Sequence, residues 1–105
     1  MWQIIRKQTR PDTSVPFFQQ ATAPVTDELK LYYQQNYVLT DKVIYMHHEI
    51  SEDSLELFIT MIWDSRESID GFLADPIIIE QLLNIKNTFM EERGLTEIIV
   101  SNTEV

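Results

Sequence analysis

The sequence predicts an α+β fold: one antiparallel four-stranded sheet with helices on one face. Three observations carry the prediction. The segments read in the order β-α-β-β-α-α-β; a polar tetrad, Ser51-Glu52-Asp53-Ser54, joins two apolar runs as a hairpin; and a long helical stripe ends at Gly94 before a final apolar run. Right-handed crossovers turn that order into a ferredoxin-like sheet with one face covered by helices and the other left open.

Residues 2 to 9, WQIIRKQT, read as the first strand. Residues 10 to 25, RPDTSVPFFQQATAPV, hold three prolines and no clear period, so they form an extended arm, either a flap or a partner-binding segment. Phe17 and Phe18 in that arm must be buried, on this domain or on a neighbour. Residues 26 to 37 read as a helix. Thr26 caps its free amides, and Asp27 and Glu28 suit the positive end of its dipole. Leu29, Tyr32, Tyr33 and Tyr37 form its apolar face.

Strands are expected at 43 to 50 and 55 to 63. With a four-residue loop between them, Ile50 faces Leu55, His48 faces Leu57 and His47 faces Phe58. Period-two alternation then places Ile44, Met46, His48, Ile50, Leu55, Leu57, Ile59, Met61 and Trp63 on one apolar face. Val43, Tyr45, His47, Glu49, Glu56, Phe58, Thr60 and Ile62 make a mixed face. The apolar face suits a cover of helices, and the mixed one suits solvent or a semi-polar cavity between subunits.

After Trp63, Asp64 and Glu67 fit a capping box, with Ser65 as the rival cap. Ile69, Phe72 and Leu73 form the apolar side of a short helix. Asp75-Pro76 starts the next, since Asp caps well and Pro is favoured at the first helical position. Its stripe of Ile78, Leu82, Ile85 and Phe89, flanked by Ile79, Leu83 and Met90, runs to Gly94, a natural stop. The last strand is expected at 95 to 101.

The chain has 105 residues, which predicts a single domain spanning 1–105. Its net charge of −9 argues against nucleic acid and anionic membranes as partners. Residues 49 to 80 hold nine acids and one base, Arg66, which reads as a solvated face. Arg6, Lys7 and Arg10 precede every acid. There is no cysteine, which excludes disulfides, thiolate metal sites and Cys nucleophiles. No apolar run is long enough to span a bilayer, and the N-terminus lacks the order of a secretory signal. A cytoplasmic protein is the expectation.

The run LFITMIWDSRESIDGFLADPIIIEQL resembles the third strand and following helices of the antibiotic-biosynthesis-monooxygenase-like proteins. The pattern is an apolar strand, then Trp63, Asp64, Ser65, Glu67, Phe72, Leu73 and Asp75-Pro76. The resemblance implies a dimeric α+β barrel, in which two sheets close on each other in a homodimer. Such proteins include cofactor-independent oxygenases, haem-degrading enzymes and isomerases. The haem-degrading branch uses an Asn on the first strand, a Trp in the short helix and a His ten residues later. Here the first strand has no Asn, and Phe72 and Leu82 stand at the other two positions, so haem chemistry is not implied and no cofactor is expected.

His47 and His48 are adjacent on a strand, so they point to opposite faces and cannot chelate one metal as neighbours. His47 and Glu49 share a face but are too few ligands, so no metal is expected. The candidate catalytic residues are His47, as a proton acceptor, and Tyr45. Phe58 and Thr60 would line the same cavity, and Arg6 or Lys7 on the first strand could supply a positive group for an anionic substrate, or either could equally be a surface charge. Packing of these side chains against a twin subunit is the competing structural reading. Two functions follow. One is a homodimer that binds a small hydrophobic or aromatic molecule and acts as a cofactor-independent monooxygenase or isomerase. The alternative is a non-enzymatic interaction or assembly protein, using the arm with Phe17 and Phe18.

Overall fold

The computed structural model describes residues 1–19 and 23–105. Its order is β1 (Trp2–Thr9), α1 (Asp27–Tyr33), β2 (Val43–Ile50), β3 (Glu56–Trp63), α2 (Arg66–Ala74), α3 (Pro76–Ile78), α4 (Asn84–Arg93) and β4 (Thr96–Glu104). The strands form one antiparallel sheet in the order β2-β3-β1-β4. The fold is therefore the expected α+β, ferredoxin-like one, with β2 and β4 at the edges. The last strand runs three residues beyond its expected end.

Short π-helical turns extend α1 at Gln34–Val38 and join α3 to α4 at Ile79–Leu83. Asp75 Oδ1 accepts from the Ile77 amide and so caps α3 ahead of Pro76. Gly94 closes α4 with φ +68°, a left-handed conformation that glycine adopts freely, and the Leu95 amide reaches back to the Met90 carbonyl at 2.9 Å. At α2 the cap is Ser65, whose Oγ accepts from the Ser68 amide at 3.2 Å, and not the Asp64–Glu67 box. Ser65 is extended and sits three residues before the amide it serves, which is the geometry that a cap requires.

Two details of the hairpin correct the sequence reading. Its register pairs Ile50 with Leu57, His48 with Ile59 and His47 with Thr60, two residues away from expectation. Asp53 sets this register by accepting from Ser51 Oγ and the Leu55 amide, and Ser54 turns the chain at φ +62°. The turn thereby closes on a Ser51–Glu56 backbone bond. An even slip keeps every side chain on its face. The second detail is a bulge at Ile44, between the Val43–Trp63 and Tyr45–Ile62 pairs. It moves Val43 from the mixed face to the helix-covered one, where it is buried beside Trp63.

The covered face carries Ile4, Gln8, Val43, Leu57 and Trp63, all buried. Two core clusters sit on it. One gathers Trp63, Tyr37, Phe72, Ile4, Leu29, Ile69 and Ile78. The other gathers Phe17 and Phe18 of the arm with Leu57, Phe89, Met90 and Leu95. Phe17 and Phe18 are 2% and 7% exposed, so the described part of the arm packs on its own domain and not on a neighbour. Gln8, fully buried, holds it there: its Nε2 donates to the Phe18 carbonyl at 2.7 Å, and its Oε1 accepts from the Phe18 amide at 3.0 Å. Arg10 adds bonds to the Ser54 and Val15 carbonyls and lies 4.3 Å over the Phe17 ring. Residues 20 to 22 of the expected arm lie outside the described residues.

Candidate functional site: a cavity between helices and sheet

The two core clusters do not merge. Val25 and Leu82 pack against both, and both also line a cavity of about 220 Å³ on the covered side of the sheet. The cavity therefore lies at the seam between the clusters. Ile59, Met61 and Trp63 of β3 form its floor, and Leu29 and Tyr33 of α1 and Leu83 close it from the helix side. A space of this order with apolar walls holds an aromatic ring system, as dry cavities of somewhat smaller volume take benzene.

Few polar groups reach this space. His48 of β2 is half-buried in its wall. Desolvation, and then the neighbouring charge of His47, lower its pKa below the ordinary value of 6.5, so the imidazole is neutral at pH 7 and free to accept a proton. Trp63 is 2% exposed, and its indole Nε1–H finds no acceptor among the described residues. A donor left so costs about 1–3 kcal/mol. The Gln8 amide lines the cavity too, but both its atoms are engaged by Phe18. Arg6 and Lys86 enter from the other end. They converge on Glu97 Oε1, at 3.8 Å and 2.7 Å.

Near the Trp63 end, two tyrosines brace the helices. Tyr32 and Tyr37 both donate to Asp75 Oδ2 at 2.6 Å, joining the helix of α1 to the cap of α3. Desolvation pushes the Asp75 carboxyl upward, but the two hydroxyls and the Ile77 and Ile78 amides outweigh it and hold it below its usual range. Burial pushes the Tyr33 phenol up to about 12, so this ring in the cavity wall is neutral at any physiological pH.

The residues singled out from the sequence divide between the faces. Tyr45, His47, Phe58 and Thr60 stand on the open face: His47 pairs with Thr60, Glu49 with Phe58, and the Tyr45 and His47 rings stack at 6.4 Å. Arg6 does not join them. It lies on the covered face opposite Ile59 and lines the cavity. Sequence reasoning puts His48 among apolar neighbours, and it is the one ionisable residue in that alternation. It gives no role to Lys30, Lys86 or Gln8, whose approach to one cavity depends on tertiary packing. The open face also presents apolar side chains, with Tyr45 and Ile98 about half exposed and Ile5, Phe58 and Ile62 half-buried.

Among the described residues, no group of three or more His, Asp or Glu could hold a metal ion. No helix among them is long and apolar enough to cross a membrane.

Comparison with known proteins agrees on the fold. No family model matches the sequence, and no curated protein matches it. Among solved structures, the chain is similar to a "putative antibiotic biosynthesis monooxygenase" from Deinococcus radiodurans. The similarity has a TM-score of 0.57 at 14% identity and covers 100% of this chain and 92% of that one. At that identity the likeness is one of fold, and it supports the antibiotic-biosynthesis-monooxygenase-like scaffold that the Trp63 to Pro76 segment resembles.

Proposed function

We propose that this chain binds a small hydrophobic, aromatic molecule in the helix–sheet cavity and removes a proton from it. That step opens both a cofactor-independent oxygenation, in which the deprotonated substrate itself supplies electrons to dioxygen, and an isomerisation, in which the proton is returned elsewhere. The observation that carries the reading is the neutral, half-buried His48 imidazole in the wall of a cavity whose floor and helix side are apolar. Trp63 supports it as a donor for a carbonyl or phenolate oxygen of the bound molecule. The scaffold shared with a protein described as a monooxygenase favours oxygenation of the two.

A second placement of the chemistry rests on the open face. Its half-exposed apolar residues favour a homodimer in which a second copy covers them. Tyr45 and His47 would then face the enclosed space as the acid–base pair, with Phe58 and Thr60 lining it and no cofactor or metal taking part. The assembly-protein alternative has less support, because Phe17 and Phe18 are buried on this domain and offer no free arm.

Calorimetric titration of small aromatic ligands, with oxygen consumption measured in parallel, separates these readings in His48→Gln and His47→Gln. The first predicts that His48→Gln abolishes turnover while His47→Gln keeps it. The reverse result moves the chemistry to the open face. Binding without turnover in the unaltered protein would leave a binding module, and no binding at all refutes the cavity reading.

A further inference from the structure

The chain carries seventeen acids and eight bases, so a cavity wall drawn at random from its charged residues would be acidic. The helix–sheet cavity is the opposite. Arg6, Lys30 and Lys86 line it, and no Asp or Glu does; the three residues outside the described set, Gln20, Ala21 and Thr22, hold no acid either. Arg6 and Lys86 are about four-fifths buried at the side chain, a costly position for two cations. One carboxylate, Glu97, answers both through a single oxygen, and it stands with Glu91 along a second surface cleft that Arg6 and Lys86 also line.

We infer that the molecule this cavity takes is an apolar anion, an aromatic or aliphatic carboxylate, with its charged group at the Arg6–Lys86 end and its apolar body along Ile59, Met61 and Trp63. This rests on the proposed use of the cavity and adds the class of ligand. Arg6 lies opposite Ile59, four residues along β3 from Trp63. That is roughly 13 Å of strand, so an elongated molecule fits better than a compact one. The Arg6 guanidinium offers several N–H donors, of which Glu97 receives one contact, at Nε. It can therefore bind a second carboxylate without giving up the first. Lys30, exposed on α1, adds a third positive charge at the rim. In a protein of net charge −9, such a cavity also selects: anions are repelled by the general surface and held only where the cations converge.

The test is calorimetric titration with 2-naphthoate and its neutral counterpart, 2-naphthalenemethanol. The expected result is a Kd for the carboxylate about tenfold below that of the alcohol, a preference that shrinks as salt is raised to ~0.5 M. The double variant Arg6→Gln/Lys86→Gln should abolish the preference for the carboxylate over the alcohol. Lys30→Gln, on an exposed helix position, should lower the preference about twofold to threefold, and it serves if the double variant melts early. Equal, salt-insensitive affinities in the unaltered protein overturn the anion inference and leave the cavity as a neutral-ligand site. Failure of both ligands to bind overturns the cavity reading together with it.

Discussion

His47 and His48 are consecutive residues on one strand, yet they occupy different environments. His48 belongs to the face that the helices cover, where desolvation keeps its ring neutral. His47 belongs to the open face, exposed and stacked on Tyr45. The same division runs through two other neighbouring pairs. Leu57 is fully buried between sheet and helices, while Phe58 lies half-buried on the open side. Gln8 is fully buried and clamps the arm, while Lys7 pairs with Glu56 on the open surface at 2.8 Å. One residue of shift along a strand thus separates structural core, cavity wall and surface, and the environment of each residue follows its face more than its motif.

The largest test of this division is the Leu57/Phe58 pair. Leu57→Ala should cost about 3 kcal/mol in urea unfolding, because Leu57 is fully buried within the Phe17, Phe18 and Phe89 cluster, whose rings cannot close the gap it would leave. Phe58→Ala should cost about 1 kcal/mol or less in dilute solution. If a second copy covers the open face, that cost grows with protein concentration, whereas the Leu57→Ala cost does not. Equal and concentration-independent losses for both would erase the distinction between the faces.

The Gln8/Lys7 pair comes next. Gln8→Ala strands the Phe18 amide and carbonyl, both buried, and should destabilise by about 2 kcal/mol. It should also speed hydrogen exchange at the Phe18 amide well beyond that global loss, because the arm loses its anchor. Lys7→Ala breaks a partly exposed ion pair and should change stability by about 0.5 kcal/mol. A Gln8→Ala protein with an undisturbed Phe18 amide would show that the arm is held by Phe17, Phe18 and Arg10 alone.

Much of this division is legible in the alternation of residue types alone. It places Leu57, Ile59, Met61 and Trp63 together and separates His47 from His48, and the Trp63 to Pro76 segment announces a strand turning into two capped helices. What alternation misses has identifiable reasons. No Gly or Pro marks the bulge at Ile44, so strict period two puts Val43 on the wrong side. The Ser51 to Ser54 tetrad signals a turn, but Asp53 bonding to Ser51 and Leu55 chooses the register. Gln8 reads as one more polar residue on a strand until Phe18, ten positions away, folds onto it. The cavity is the gap between clusters built from distant segments, and Lys30 and Lys86 meet Arg6 only through packing of α1 and α4 on the sheet.

The smallest expected effect lies in the histidine pair, and its sign is fixed. Burial lowers the His48 pKa in the folded protein below its unfolded value near 6.5. Between those two values the unfolded chain holds more protons than the folded one, so stability decreases as pH falls through that window and this contribution is flat above it. Measured by urea unfolding between pH 7.5 and roughly 5, the slope should shrink in His48→Gln, and the His48 ring should titrate below 6.5 when followed by NMR. Filling the cavity should lower that midpoint further for a neutral ligand, which excludes water from the ring. A carboxylate held at the Arg6–Lys86 end offsets part of that desolvation and should leave the midpoint higher than the neutral ligand does. A His48 midpoint that ignores both ligands would place the imidazole outside the occupied space, and with it the base on which the proposed chemistry depends.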